Sequence, residues 1–214
     1  MKILVTAFDP FGGEELNPAL EAVKNLEVEM EGVELFKLEV PTVFNDSIDR
    51  VIAEIERISP DKILMVGQAG GRFDITPERL AINLDDARIP DNKGNQPIDR
   101  RIVERGENAY FSTLPVKAIV REIRAMGLPA SLSNTAGTFV CNHLMYGVLH
   151  HIVVNGLDIK AGFIHVPFIP AQAASKTPSQ PSLGLDDIVR GLEGALRAIV
   201  IYGEDLTEVM GETH

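Results

Sequence analysis

The one cysteine of this 214-residue chain, Cys141, lies in the stretch SNTAGTFVCNHLMYGVLHH, residues 133–151. Residues 140–153 read as a helix, with Leu144, Val148, Leu149 and Ile152 along one side, so the thiol falls in its first turn. Unpaired N–H groups at a helix start favour a thiolate and lower its pKa from the free value of about 8.5. The same groups can hold an oxyanion. A turn leading into a helix also has the outline of a nucleophile elbow, although the second glycine of G-x-S-x-G is missing here. Against this stands the plainer role of a lone cysteine as a small buried hydrophobe.

A nucleophilic thiol needs a base, and the base needs an orienting group. The histidines are 143, 150, 151, 165 and 214. His143 follows Cys141 by two residues on the same helix, so it faces another side. His150 and His151 fall in the C-terminal half of that helix, where capping or solvated roles suit a cation. His214 ends the chain. His165 closes the apolar run KAGFIHV (160–166), at the end of a strand where a parallel sheet presents functional groups. It reads equally as a hydrogen-bonded core histidine. Glu78, in ITPERLAIN, is either the ion-pair partner of Arg79 or a functional carboxylate, and its neighbours alone lean to the ion pair.

These groups need a scaffold. KILVTAF (2–8), VELFKLEV (33–40), DKILMVG (61–67) and KAGFIHV (160–166) read as strands, three of them continuous apolar runs of the kind buried on both faces. ASLSN (130–134) reads as a further short strand, residues 79–92 as an extended segment that then turns, and residues 93–113 as irregular. Helices are expected over PALEAVKNL (18–26), capped by Asn17, and over 45–58, 115–127, 140–153 and about 184–201. Alternating strands and helices specify an α/β protein: a mostly parallel twisted sheet flanked by helices on both faces, an α/β/α sandwich. The whole of 1–214 reads as a single domain. Its ligand belongs beyond the carboxyl ends of the strands. Three loops leave there: DPFGG, QAGGRF and the turn before Cys141. The segment 171–182 has the composition of an exposed, mobile loop.

Composition narrows the function classes. With 31 acidic and 20 basic residues the net charge is −11, which disfavours a nucleic-acid partner. No segment approaches the roughly 18 apolar residues of a membrane span. The N-terminus, MKILVTAFDP, meets an aspartate too soon for a signal peptide. One thiol and no disulfide framework point to a reducing, cytoplasmic setting. Neither glycine loop matches a phosphate-binding fingerprint. No cysteine pair is present for zinc, and no metal or other cofactor is called for.

Six segments carry a resemblance: VTAFDPFGG with Asn17-Pro18, GQAGGRFDITPERLAIN (67–83), DARIPDN (86–92), YFSTLP (110–115), SNTAGTFVCNHLMY (133–146) and GFIHVPFIP (162–170). In this order they resemble the pyroglutamyl peptidase I, or pyrrolidone-carboxylate peptidase, family of cysteine peptidases. Ala7 stands where that family often has glycine. The resemblance implies an α/β/α sandwich, commonly a homotetramer, that removes an N-terminal pyroglutamyl residue from peptides through a thioacyl-enzyme. It implies Cys141 as nucleophile, His165 as base and Glu78 as orienting acid, with Arg88 as a supporting oxyanion donor. It places Phe8 and Phe11 near the substrate ring, and Asn17 and Gln68 as polar groups shaping its pocket. Phe8 has core packing as its alternative, Asn17 a helix cap, and Arg88 an ion pair with Asp85 or Asp86.

The substrate's chemistry fits such a site. Pyroglutamate is a five-membered lactam without an α-ammonium group, so a carboxylate that grips a free amine finds nothing. Its pocket needs apolar walls, an acceptor for the lactam N–H and a donor for the lactam C=O. Two other readings compete. A cysteine amidase of glutamine-amidotransferase type would release ammonia from glutamine, although the order Glu78, Cys141, His165 and the missing second glycine argue against it. A non-catalytic small-molecule-binding α/β protein would have an inert thiol.

Overall fold

The computed structural model describes residues 1–27 and 30–211; His214 lies outside the described residues. The strands are β1 (Lys2–Phe8), β2 (Glu34–Val40), β3 (Lys62–Gln68), β4 (Thr76–Glu78), β5 (Leu80–Ile82), β6 (Ala109–Phe111) and β7 (Lys160–Val166). The helices are α1 (Pro18–Asn25), α2 (Asp46–Ile58), α3 (Val116–Ala125), α4 (Val140–Val154), α5 (Pro170–Ala173) and α6 (Leu185–Ile201). The main sheet has the order β2-β1-β3-β7-β4. Its first four strands are parallel, and β4 runs antiparallel to β7 at the edge.

The sheet separates two apolar layers. Ile3, Val5, Leu64, Val66, Ile164 and Val166 pack against α1, α3 and α6. Leu4, Ile63, Met65 and Phe163 face the other way, toward α2 and α4. Alternate residues of one strand thus feed both cores, which is why β1, β3 and β7 are almost uninterrupted apolar runs. Burying each large aliphatic side chain contributes about 1.5–3 kcal/mol. The α/β/α arrangement is the one expected from the alternation of elements.

Helix α4 is buried over most of its length, including the polar residues Asn142 and His143. The sheet lies under it, α2 beside it, and the two-stranded antiparallel β5–β6 sheet over it. Asn142 pins that small sheet: its side-chain oxygen accepts from Ile82 N–H at 2.9 Å, and its amide donates to the carbonyls of Ile82 and Leu84 at 2.9 and 3.0 Å. Gly147 admits α2, because a Cβ there would stand 2.2 Å from Ile48 Cδ1.

Several expectations need correction. Residues 130–134 form no strand; Ala130 and Ser133 make only isolated bridges to Ile75 and Glu78. The edge strand there is β4, whose central Pro77 makes it unremarkable as a sequence, since proline is tolerated only where a ladder hydrogen bond is not needed. The irregular 93–113 segment contains β6. The segment after Pro170 begins with α5 and then passes along the cavity described below, through Lys176, Thr177, Pro178 and Gln180. No helix among the described residues is long and apolar enough to cross a membrane.

Candidate active site

The three loops named above meet. Phe11 and Gly12, Gln68 and Gly70, and Ala136, Thr138 and Phe139 line one cavity of about 550 Å³ together with Cys141 and His165. It opens at the carboxyl ends of β1, β3 and β7, where an open parallel sheet presents loops to a ligand.

Cys141 is the second residue of α4, after Phe139 as N-cap, and is 8% exposed. No side chain caps this helix start. The first-turn N–H groups are therefore available at the cavity's edge. The thiol rests over Gly67: a Cβ added at that glycine would lie 3.0 Å from Sγ and 2.7 Å from Phe163 Cζ. Gly67 is the register partner of His165 on β7. The absent side chain thus lets the sulfur settle onto the sheet at the register position of His165, and both residues line the cavity.

His165 is buried between Gly67 on one side and Thr76 on the other. Its Nδ1 donates to Glu78 Oε1 at 2.6 Å. Its Nε2 bonds to none of the described residues, and the ring lines the cavity. Glu78 is fully buried on β4, and Arg72 Nη1 donates to the same Oε1 at 2.6 Å. Arg72 also bonds the Thr76 hydroxyl and, at 3.2 Å, the Thr135 carbonyl. The ion pair weighed for Glu78 with Arg79 is not formed; Glu78 pairs with Arg72, whereas Arg79 lines a separate cavity with Lys117 and Lys160.

Electrostatics fix the resting protonation. Burial raises the Glu78 carboxyl, but the His165 hydrogen bond and the charge of Arg72 outweigh it and hold the group below its ordinary value. Burial lowers His165 below 6.5 despite the opposing pull of Glu78. The imidazole is thus neutral, and Arg72 with the Nδ1–H bond keeps Glu78 ionised. Burial, aided by the Glu78 charge and opposed by Arg72, pushes the Cys141 thiol up to about 12. This reverses the lowered value expected at a helix start: desolvation of a sulfur under protein on nearly all sides exceeds the stabilisation by nearby amides. The resting pair is a neutral thiol and a neutral imidazole.

The other sequence-derived residues divide. Phe11, Gln68 and Arg88 line the cavity. The Arg88 side chain is exposed and pairs with neither Asp85 nor Asp86 among the described residues. Phe8 packs in the core against Phe163, ring centroids 6.4 Å apart, and does not reach the cavity wall. Asn17 caps α1 by accepting from Ala19 N–H at 3.0 Å and donates to the Asp9 carbonyl at 3.2 Å, so both ends of its amide have protein partners. Sequence reasoning did not single out Phe139, Phe168, Ile89, Arg72 or Gly67. Phe139 was recoverable from its place before the helix start; Arg72 had no local signal, because its partners come from β4 and the loop before α4.

Known proteins resemble this chain over nearly its whole length. A family model described as pyroglutamyl peptidase matches residues 1–202. The pyrrolidone-carboxylate peptidase of Clostridium perfringens (strain 13 / Type A) is 58% identical over 211 residues, covering 99% of each chain. That of Thermoanaerobacter sp. (strain X514) is 59% identical over 199 residues, 93% of this chain and 98% of its own. The crystal structure of pyroglutamyl peptidase I from Bacillus amyloliquefaciens superposes with a TM-score of 0.93 at 49% identity, covering 97% of this chain and 99% of that one. With a family model spanning nearly its whole length and relatives of this identity, the chain belongs to the pyroglutamyl peptidase family.

Proposed function

We propose that this protein is a cysteine peptidase that hydrolyses the amide bond after an N-terminal pyroglutamyl residue, with Cys141 as nucleophile, His165 as base and acid, and Glu78 as the group that orients the imidazole. The observation that carries the reading is the His165 ring: Nδ1 is tied to a buried carboxylate at 2.6 Å, while Nε2 is left for the cavity that Cys141 also lines.

The reaction follows from the protonation states. As Sγ attacks the pyroglutamyl carbonyl carbon, its proton passes to Nε2 of His165. The Sγ–C bond forms while the carbonyl oxygen takes the electron pair. The N–H of Cys141 and the Arg88 guanidinium are the donors for that oxyanion, and an oxyanion donor contributes about 10²–10³-fold. Glu78, held ionised by Arg72, stabilises the imidazolium. Nε2–H then protonates the departing amine as the C–N bond breaks, leaving a thioester. A water gives its proton to Nε2 and attacks the thioester, and the proton returns to sulfur as pyroglutamate leaves. Because the thiol is not ionised at rest, the proton transfer is part of the barrier to attack.

The substrate ring finds flat apolar walls in Phe11, Phe139 and Phe168 and a polar group in Gln68. Phe8 packs against Phe163, which in turn lies against the His165 ring, and Asn17 fixes the start of α1; both act at one remove from the substrate ring. The reading extends to a single-domain, cytoplasmic enzyme acting as a homotetramer. The lone free thiol supports the compartment, and the family resemblance supports the assembly; light scattering in solution tests the latter. Parallel assay of pyroglutamyl-, prolyl- and glutamyl-amide reporters tests the function. Cleavage of the first alone is expected, and ammonia release from glutamine with no pyroglutamyl cleavage would replace this reading with a glutamine amidase.

A further inference from the structure

Gln172 lies outside every motif discussed so far, yet it is 5% exposed and its amide is fully engaged. Its Oε1 accepts from the backbone N–H of Ile169 at 3.3 Å. Its Nε2 faces the Leu16 carbonyl at 3.4 Å, the Glu14 carboxylate at 3.2 Å and the Gln68 side chain at 3.1 Å. A backbone N–H only donates, and a backbone carbonyl or carboxylate only accepts. The orientation of the Gln172 amide is therefore imposed by partners that cannot change polarity. Lys176 bonds Glu14 from the far side and keeps that acceptor in place.

The consequence passes to Gln68. The atom it turns toward Gln172 must be its oxygen, because the group opposite is an N–H donor. Its own Nε2 donates to none of the described residues, and Gln68 lines the cavity. A glutamine amide alone presents either end to a ligand at little cost; here one end is taken. We propose that Gln172 is a positioning residue for substrate specificity: it locks the Gln68 amide so that the cavity offers an N–H donor, matched to the lactam carbonyl of the pyroglutamyl ring. This rests on the pyroglutamyl reading of the cavity given above. A site built to donate to a ring carbonyl discriminates against rings that lack one, since the donor is then left unpaired.

The test is a double-mutant cycle read by competitive inhibition with 2-pyrrolidone, a neutral ring carrying the same N–H and C=O. Gln68→Met should weaken 2-pyrrolidone about tenfold through loss of the contact. Gln172→Met, which frees the Gln68 amide to turn, should weaken it about three- to tenfold and raise KM for a pyroglutamyl-amide reporter with kcat nearly unchanged. In the Gln68→Met background, Gln172→Met should have no further effect, whereas a merely structural contribution would remain additive. Gln172→Leu removes the amide without placing an acceptor against the Glu14 carboxylate, so it should weaken 2-pyrrolidone to the same extent as Gln172→Met. It also decides the matter if the Met variant does not fold. The rate of Cys141 alkylation by iodoacetamide without ligand should stay within about twofold throughout, because the thiol and imidazole are untouched. If Gln68→Met leaves 2-pyrrolidone inhibition unchanged, the assignment of Gln68 to the ring fails. If Gln68→Met weakens it but both Gln172 variants match wild type, or their effects add to that of Gln68→Met, the lock is overturned and the pyroglutamyl reading stands.

Discussion

Two histidine–carboxylate pairs flank Cys141, and they are nearly alike. His165 Nδ1 meets Glu78 at 2.6 Å, and His143 Nδ1 meets Asp85 at 2.8 Å. Both rings are buried and both acids are buried. The difference lies at the other nitrogen. His143 Nε2 accepts the backbone N–H of Asn45 at 2.9 Å, which fixes its Nδ1–H tautomer and closes the ring off. Its ring stands edge-on to Phe44, centroids 5.2 Å apart. His165 Nε2 is left to the cavity. On the proposed mechanism a buried histidine–acid pair is thus a fastening in one place and a proton carrier in the other, and what decides is whether the second nitrogen has a protein partner. The carboxylates differ as well: Glu78 has Arg72 to keep it charged as the proton moves, whereas Asp85 ties α4 to the loop after β5.

The contrast can be broken most severely at the reacting atoms. Cys141→Ser and His165→Ala should each cost about 10³-fold or more in kcat/KM while circular dichroism stays native. Near wild-type cleavage by Cys141→Ser would remove the chemistry from this pair altogether. Glu78→Gln should lose less than His165→Ala, on the order of 10²-fold, because the ring keeps a hydrogen-bond partner but not a charge. Gly67→Ala brings a Cβ against Sγ and the Phe163 ring, and a displaced thiol should lower kcat by about 10–10²-fold with the fold retained.

At the other pair the expected loss is of stability. His143→Ala leaves the buried Asp85 carboxyl and the Asn45 N–H without their partner and should cost about 2–4 kcal/mol in chemical denaturation. At a temperature where the variant is folded, its kcat/KM should lie within a few-fold of wild type; a loss comparable to that of His165→Ala would erase the distinction drawn above. The smallest effect is with pH. His165 has a native pKa depressed below 6.5, so the unfolded chain takes up a proton at that group before the native one does. Its contribution to stability is complete above 6.5 and is lost on acidification through that value. Glu78, also depressed, adds a loss in the same direction as the pH falls below 4.5. The acid limb of kcat/KM should correspondingly fall below pH 6.5, and a limb centred well above it would mean that the imidazole is charged at rest.

Legibility differed between elements for physical reasons. Strand β7 matches its apolar run residue for residue, and α4 begins at Val140 as its spacing indicated, because each is set by a periodicity inside its own segment. Strand β4 was invisible: three residues, one a proline, become a strand only because β7 offers them an edge. Among site residues, Cys141, His165 and Glu78 were reached by residue type, position and resemblance. Phe8 and Asn17 were drawn toward the ring by their motif, yet one packs in the core and the other caps a helix. Gln172 lay in a segment whose composition said only loop.

The sequence by itself determined the four parallel strands, the five longer helices and that one thiol starts a helix, since helix and strand periodicity and capping act over a few neighbouring residues. The tertiary structure alone decided which histidine meets the cavity, that Arg72 rather than Arg79 holds Glu78, how the Gln68 amide faces, and that the thiol's pKa is raised rather than lowered. Those outcomes depend on hydrogen bonds between residues far apart in the chain, such as the 87 positions separating His165 from Glu78, and on burial from water, which no local pattern encodes.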